Sequence, residues 1–89
     1  MPRQRFLAGA LGETDAGEGK YAEAESAFRL SQRLGDTSAE TENQLAIVLK
    51  HEGKFSEAAN EARKAITAAP QSREYKETLN GILVLLKTK

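Results

Sequence analysis

The 89 residues predict an all-α fold: a stack of antiparallel helical hairpins closed by a C-terminal capping helix. Three observations predict it. Apolar residues recur every three or four positions, the spacing that lines one face of a helix. Glycine and proline interrupt that rhythm at regular intervals, as they do where a chain must turn. The sequence also resembles itself at an offset of 34 residues, a period typical of helical repeat architectures. No segment shows the apolar–polar alternation of a strand.

The first helix is expected over about Gln4–Ala16. It carries Gly9 and Gly12, each of which costs about 1 kcal/mol relative to alanine inside a helix. The second, about Ala22–Leu34, places Ala24, Ala27, Phe28, Ser31 and Leu34 on one face, with Glu23, Arg29 and Arg33 elsewhere. Leu45, Ala46 and Leu49 mark a third helix over about Ser38–Glu52. The fourth, about Ser56–Ala68, turns Ala58, Ala59, Ala62, Ala65 and Ile66 inward, and Pro70 stops it. Ser72 is a suitable N-cap for a last helix over about Arg73–Lys87. The whole is read as one domain over residues 1–89: repeat one at about 5–38, repeat two at about 39–72, and a capping helix at about 73–87.

Composition narrows the function classes. Thirteen basic residues balance thirteen acidic ones, so the chain lacks the cationic excess that non-specific nucleic-acid binding or a polybasic membrane anchor requires. It has no cysteine, which excludes disulfides and cysteine-ligated zinc. No apolar run approaches the roughly 20 residues of a membrane span. Arg3 and Arg5 precede only a short, glycine-broken apolar stretch, Phe6 to Leu11, too short for a secretory signal core. The expectation is a soluble, cytoplasmic protein with no cofactor or metal.

The repeat is concrete. Glu18-Gly19-Lys20-Tyr21-Ala22-Glu23-Ala24 aligns with Glu52-Gly53-Lys54-Phe55-Ser56-Glu57-Ala58, and at the same offset Leu11 meets Leu45, Gly12 meets Ala46 and Phe28 meets Ala62. Leu79 and Leu83 begin a third copy. A small residue at Gly12 or Ala46 allows two helices to approach closely. The glycine at Gly19 or Gly53 supplies the left-handed conformation that ends a helix and reverses the chain. The aromatic at Tyr21 or Phe55 plugs the corner, and Ala24 or Ala58 sits at the helix crossing.

On these residues the sequence resembles the tetratricopeptide repeat family. Residues 39–72 match best, through Leu45, Ala46, Leu49, Gly53, Phe55, Ala58, Ala62, Ala65 and Pro70. Residues 5–38 match through Leu11, Gly12, Gly19, Tyr21, Ala24 and Phe28. The departures are Ala8 and Glu42 where the family has tryptophan, Asp15 in place of a large apolar residue, and Gly35-Asp36 in place of the terminal proline. They predict an under-packed, softer first hairpin. The resemblance implies a right-handed stack whose concave face, lined by the first helix of each hairpin, binds a peptide segment or helix of another protein.

Carried over position by position, that face includes Phe6, Gly9, Ala10 and Glu13, then Glu40, Asn43, Gln44, Ile47, Lys50 and His51, then Glu74, Glu77 and Thr78. The centre is expected at Asn43, Gln44, Ile47 and Lys50. One subclass of the family grips a chaperone's C-terminal carboxylate with basic and amide side chains. The matching positions here hold Gly9, Glu13, Gln44, Glu74 and Thr78, none of them basic, so that subclass is rejected. The groove is mildly acidic with amide donors, which suits a neutral or basic segment.

Other chemistry is thin. The stretch Gly12 to Lys20 superficially resembles a phosphate loop, but Glu18 follows Gly17 where that loop needs lysine. His51, the only histidine, reads as a solvated residue near a helix end. Glutamates such as Glu57 and Glu61 read as solvated faces. No catalytic set is visible, and an enzyme is not expected. The last helix carries more apolar residues than a cap needs: Leu79, Ile82, Leu83 and Leu86 suit packing on the preceding hairpin, while Val84 and Leu85 point elsewhere. The alternative function is therefore self-association, or membership of a longer repeat array, through Val84 and Leu85.

Overall fold

The structure, a computed structural model, describes residues 2–88. Five helices follow one another: α1 (Pro2–Gly17), α2 (Tyr21–Arg33), α3 (Ala39–His51), α4 (Phe55–Ala68) and α5 (Arg73–Lys87). No strand occurs among the described residues. α1 packs chiefly on α2 and α3 on α4, giving two hairpins, and α5 leans on α4 and α3. α1 approaches α3, and α3 approaches α5, while the backbones of α2 and α4 stay apart. The first helices of the hairpins therefore form the inner row. Among the described residues no helix is long and apolar enough to cross a membrane.

The three glycine turns share one hydrogen-bond pattern. Lys20 N–H donates to the Asp15 carbonyl at 2.8 Å and Gly19 N–H to Ala16 at 3.1 Å; Lys54 N–H donates to Leu49 at 2.9 Å and Gly53 N–H to Lys50 at 3.0 Å. Asp36 and Gly35 repeat it on Ser31 and Gln32, both at 3.0 Å. This is the Schellman cap, and it needs a left-handed residue after the helix. Gly19, Gly35 and Gly53 supply φ values of 78°, 105° and 79°. α4 ends differently. Ala69 is pushed to an extended conformation, φ −140° and ψ 74°, by the proline that follows it. Ser38 and Ser72 cap α3 and α5 through their side chains, accepting from Thr41 N–H at 3.3 Å and Tyr75 N–H at 3.2 Å.

The core lies where α2, α3, α4 and α5 meet: Ala24 and Phe28, then Leu45, Ala46, Val48 and Leu49, then Ala58, Ala59 and Ala62, then Ile82. Tyr21 and Phe55 pack partly buried against it, at the corners the repeat assigns them. Small residues at the crossings let the helices close up, and the offset pairs compensate in volume. Gly12 faces Phe28 in the first hairpin, whereas Ala46 and Ala62 occupy the equivalent positions in the second. A β-carbon on Gly12 would stand 2.8 Å from the Phe28 ring, so the glycine is what makes room for it.

α1 contributes little to this core. Its buried positions are Ala8, Gly12 and Asp15, while Phe6, Leu7 and Leu11 are exposed. Leu11 is the clearest contrast with its repeat mate. Leu45 is fully buried in the cluster with Ala24 and Phe28, whereas Leu11 is 55% exposed. Asp15, at the position Leu49 fills in the second hairpin, is a buried carboxylate where that hairpin has a buried leucine.

Candidate functional site

The inner row opens into a cleft between α1, α3 and the connector that joins the hairpins. It has a volume of about 580 Å³ and is walled by Arg5, Phe6, Gly9, Ala10 and Glu13 of α1, by Gly35 to Ser38, and by Glu40, Thr41 and Gln44 of α3. Beside it lies an apolar well of about 270 Å³, formed by Ala16, Phe28 and Ile47 and bordered by Glu13 and Gln44. Gln44 Nε2 donates to Glu13 Oε1 at 2.9 Å, tying the walls together at the boundary between cleft and well.

The connector is held by one carboxylate. Asp36 accepts from Ser38 N–H at 2.9 Å and from the hydroxyls of Thr41 and Ser31, the latter at 2.9 Å. Ser31 is fully buried, and its hydroxyl also lies 3.1 Å from the Arg5 carbonyl, so its single proton is shared between two acceptors. Arg5 Nη1 reaches the Gly35 carbonyl at 3.3 Å. Burial opposes the charge on Asp36, but the hydrogen bonds from Thr41, Ser38 and Ser31 outweigh it and hold the carboxyl at about 2. The Gly35-Asp36 pair that replaces the expected proline is thus a built junction fixing α3 against the first hairpin.

On the outer side, a charged network joins the hairpins. Glu25 accepts from Arg29 Nε at 2.8 Å and Lys54 Nζ at 2.9 Å, and Arg29 Nη2 reaches Glu57 at 3.3 Å. Burial of Glu25 works against its charge, yet Arg29 and Lys54 lower it to about 2. Glu52, close by, is pushed up by burial and by the Glu25 carboxylate, and one of its buried oxygens has no hydrogen-bond partner.

The structure brings most of the expected groove residues to the inner row. Glu13 and Glu40 are exposed at the cleft, Gln44 lines both cavities, and Ile47 walls the well. Glu74 and Glu77 are exposed on α5 and Thr78 is half-buried, its hydroxyl donating to the Glu74 carbonyl at 3.1 Å. Lys50 is half-buried.

Two expectations need correction, those for Asn43 and Glu61. Asn43, placed at the groove's centre, is only 2% exposed, and its side-chain Oδ1 is buried without a partner. It lies on the part of α3 enclosed by its neighbours, and the groove is lined one residue further on, at Gln44. His51, read as a solvated residue near a helix end, is exposed there as expected, and its ring also stacks on Tyr21 with centroids 4.6 Å apart and planes within 3°. The end of α3 is thereby clasped to the corner of the first hairpin. Glu61, read as part of a solvated face, is 7% exposed, accepting from Gln32 at 3.3 Å and Lys64 at 3.0 Å. Of the two residues proposed for self-association, Val84 is 60% exposed and Leu85 half-buried. The connector's role was missed. The only signal was the Asp-x-Ser sequence at Asp36 and Ser38, just before the third helix.

No protein-family model and no curated protein sequence matches this chain.

Proposed function

We propose that the chain is a protein–protein interaction module of the tetratricopeptide type, working as a soluble, cytoplasmic protein that holds a peptide segment of its partner on the inner row of helices. The observation that carries this reading is the cleft between α1 and α3, with an apolar well at its side. A concave site of several hundred Å³ with apolar walls and a few directed polar groups is the usual form of a binding site. The supports are rigid: α1 and α3 are fixed to one another by the Asp36 junction and the Gln44–Glu13 hydrogen bond.

The test pairs Gln44→Ala with Ile47→Ser, two half-buried positions at the boundary of cleft and well. Proteins captured by the wild-type chain should drop out when the double variant is the bait, with unchanged helix content by circular dichroism. Retention of every captured protein by a folded variant would exclude the cleft as the binding surface.

One observation favours a second reading, self-association through α5. Val84 projects into solvent beside an open pocket of about 430 Å³ lined by Asn80, Leu83, Leu86 and Lys87. If this face joins two copies, light scattering should show a concentration-dependent rise in mass that Val84→Lys abolishes. A constant monomer mass over the same range excludes it.

A further inference from the structure

The cleft has a chemical preference that follows from how the charges are distributed. The chain is neutral overall, but its ion pairs are not spread evenly. Among the described residues all five join residues of α2, of α4 or of the hairpin turns, including Glu25 with Arg29 and Lys54, and Glu61 with Lys64. The inner-row carboxylates enter none of them. Glu40 has no ion-pair partner among the described residues, and Glu13 meets only the neutral amide of Gln44. Asp36 adds a third negative charge to the cleft wall, satisfied by hydroxyl and backbone donors rather than by a cation. Against these three the cleft wall holds one cation, Arg5, which is turned to the Gly35 carbonyl. The apolar well adjoins this acidic stretch directly, since Glu13 and Gln44 border both cavities.

We propose that the cleft takes a linear segment in which a leucine-sized apolar side chain stands next to a lysine or arginine. The apolar side chain enters the well against Phe28, Ala16 and Ile47. The neighbouring cation lies between Glu13 and Glu40. This rests on the proposed function and deepens it by naming the class of segment recognised. An acidic segment would face uncompensated repulsion, which is how charge patterns reject wrong partners.

The test uses the full chain and three synthetic peptides of about ten residues, identical except at two adjacent positions carrying Leu–Lys, Leu–Glu or Ser–Lys. Backbone amide shifts of the isotope-labelled chain report both the site and the affinity. The Leu–Lys peptide should move amides around Glu13, Gln44 and Ile47 and bind up to about fivefold more tightly than Leu–Glu, the upper size of one exposed ion pair. Raising salt from about 50 to about 500 mM should narrow that gap by screening. The double variant Glu13→Gln with Glu40→Gln, which keeps side-chain shape, should abolish it. Equal binding of Leu–Lys and Leu–Glu at these amides overturns the charge preference and leaves the groove reading standing. Equal binding of Ser–Lys and Leu–Lys overturns the role of the apolar well. No movement along α1 and α3 with any peptide overturns the inference together with the groove reading.

Discussion

Replacing Phe28 with alanine is expected to cost about 3–5 kcal/mol, the range for emptying a buried aromatic site. That is a large part of the roughly 5–15 kcal/mol that holds a domain together. Phe28 is 1% exposed and, among the described residues, is the only large, fully buried side chain of the first hairpin. Among the described residues α1 has no large apolar side chain of its own in the core, so its apolar packing, as distinct from its polar ties, depends on the ring that Gly12 admits. The loss should therefore be local first. Hydrogen exchange in F28A should show α1 amides opening while α3 and α4 stay protected, and the thermal transition should broaden away from two-state form. The converse substitution tests the same contact. Gly12→Ala adds a methyl group 2.8 Å from the ring and should destabilise by about 1–3 kcal/mol despite alanine's better helix propensity. Unchanged α1 protection in F28A, or a gain in stability in G12A, would show that the first hairpin is held by something other than this contact.

Neutralising Asp36 is expected to have the next largest effect and to depend on pH. Asp36→Ala removes the acceptor for the Ser31 and Thr41 hydroxyls and for Ser38 N–H. Charge-assisted hydrogen bonds of this kind contribute about 1.5–3 kcal/mol, and the lost set should cost about 2–3 kcal/mol at neutral pH. The folded carboxyl titrates at about 2 against an ordinary 3.8. A depressed carboxylate stabilises the fold above its unfolded value and loses that contribution as pH falls. The junction should hold above pH 3.8 and weaken progressively towards about pH 2. Glu25, lowered from 4.5 to about 2, acts in the same direction over an overlapping window. Glu52, shifted upward by burial and by Glu25, acts oppositely, since its protonation relieves an unfavourable buried charge. Urea midpoints measured from neutral pH to about pH 2 should fall steeply for the wild type. They should fall less for Asp36→Asn, and less again when Glu25→Gln is added. Equal slopes for all three would show that neither carboxylate links pH to folding.

Much of the architecture was legible in the sequence because it rests on local rules. Helix spacing, serine caps, the glycine turns and Pro70 each act within a few residues, and the 34-residue offset exposes size restrictions that one copy alone would hide. Gly12 could be read as a close-approach residue because Ala46 stands in its place one period later. The groove was legible less fully. The helical period brings Glu13, Glu40, Gln44 and Ile47 to the inner row, but it cannot say how deeply a neighbouring helix covers each position.

That depth is what only the tertiary structure decided. Asn43 and Gln44 differ by one step of 100° around α3, and the packing of the surrounding helices leaves one buried and the other lining the cleft. His51 and Tyr21 lie 30 residues apart and meet because the end of α3 and the first corner are brought to the same side of the stack. Asp36, which looked like a missing proline, became a junction when Ser31, Ser38 and Thr41 converged on it from two helices and a turn. The sequence by itself determined which segments are helices, where they stop and which faces are small enough to close. Tertiary packing decided which polar groups are buried, which carboxylates find cations and which remain at the cleft. Those outcomes depend on neighbours distant in the chain, and local periodicity carries no information about them.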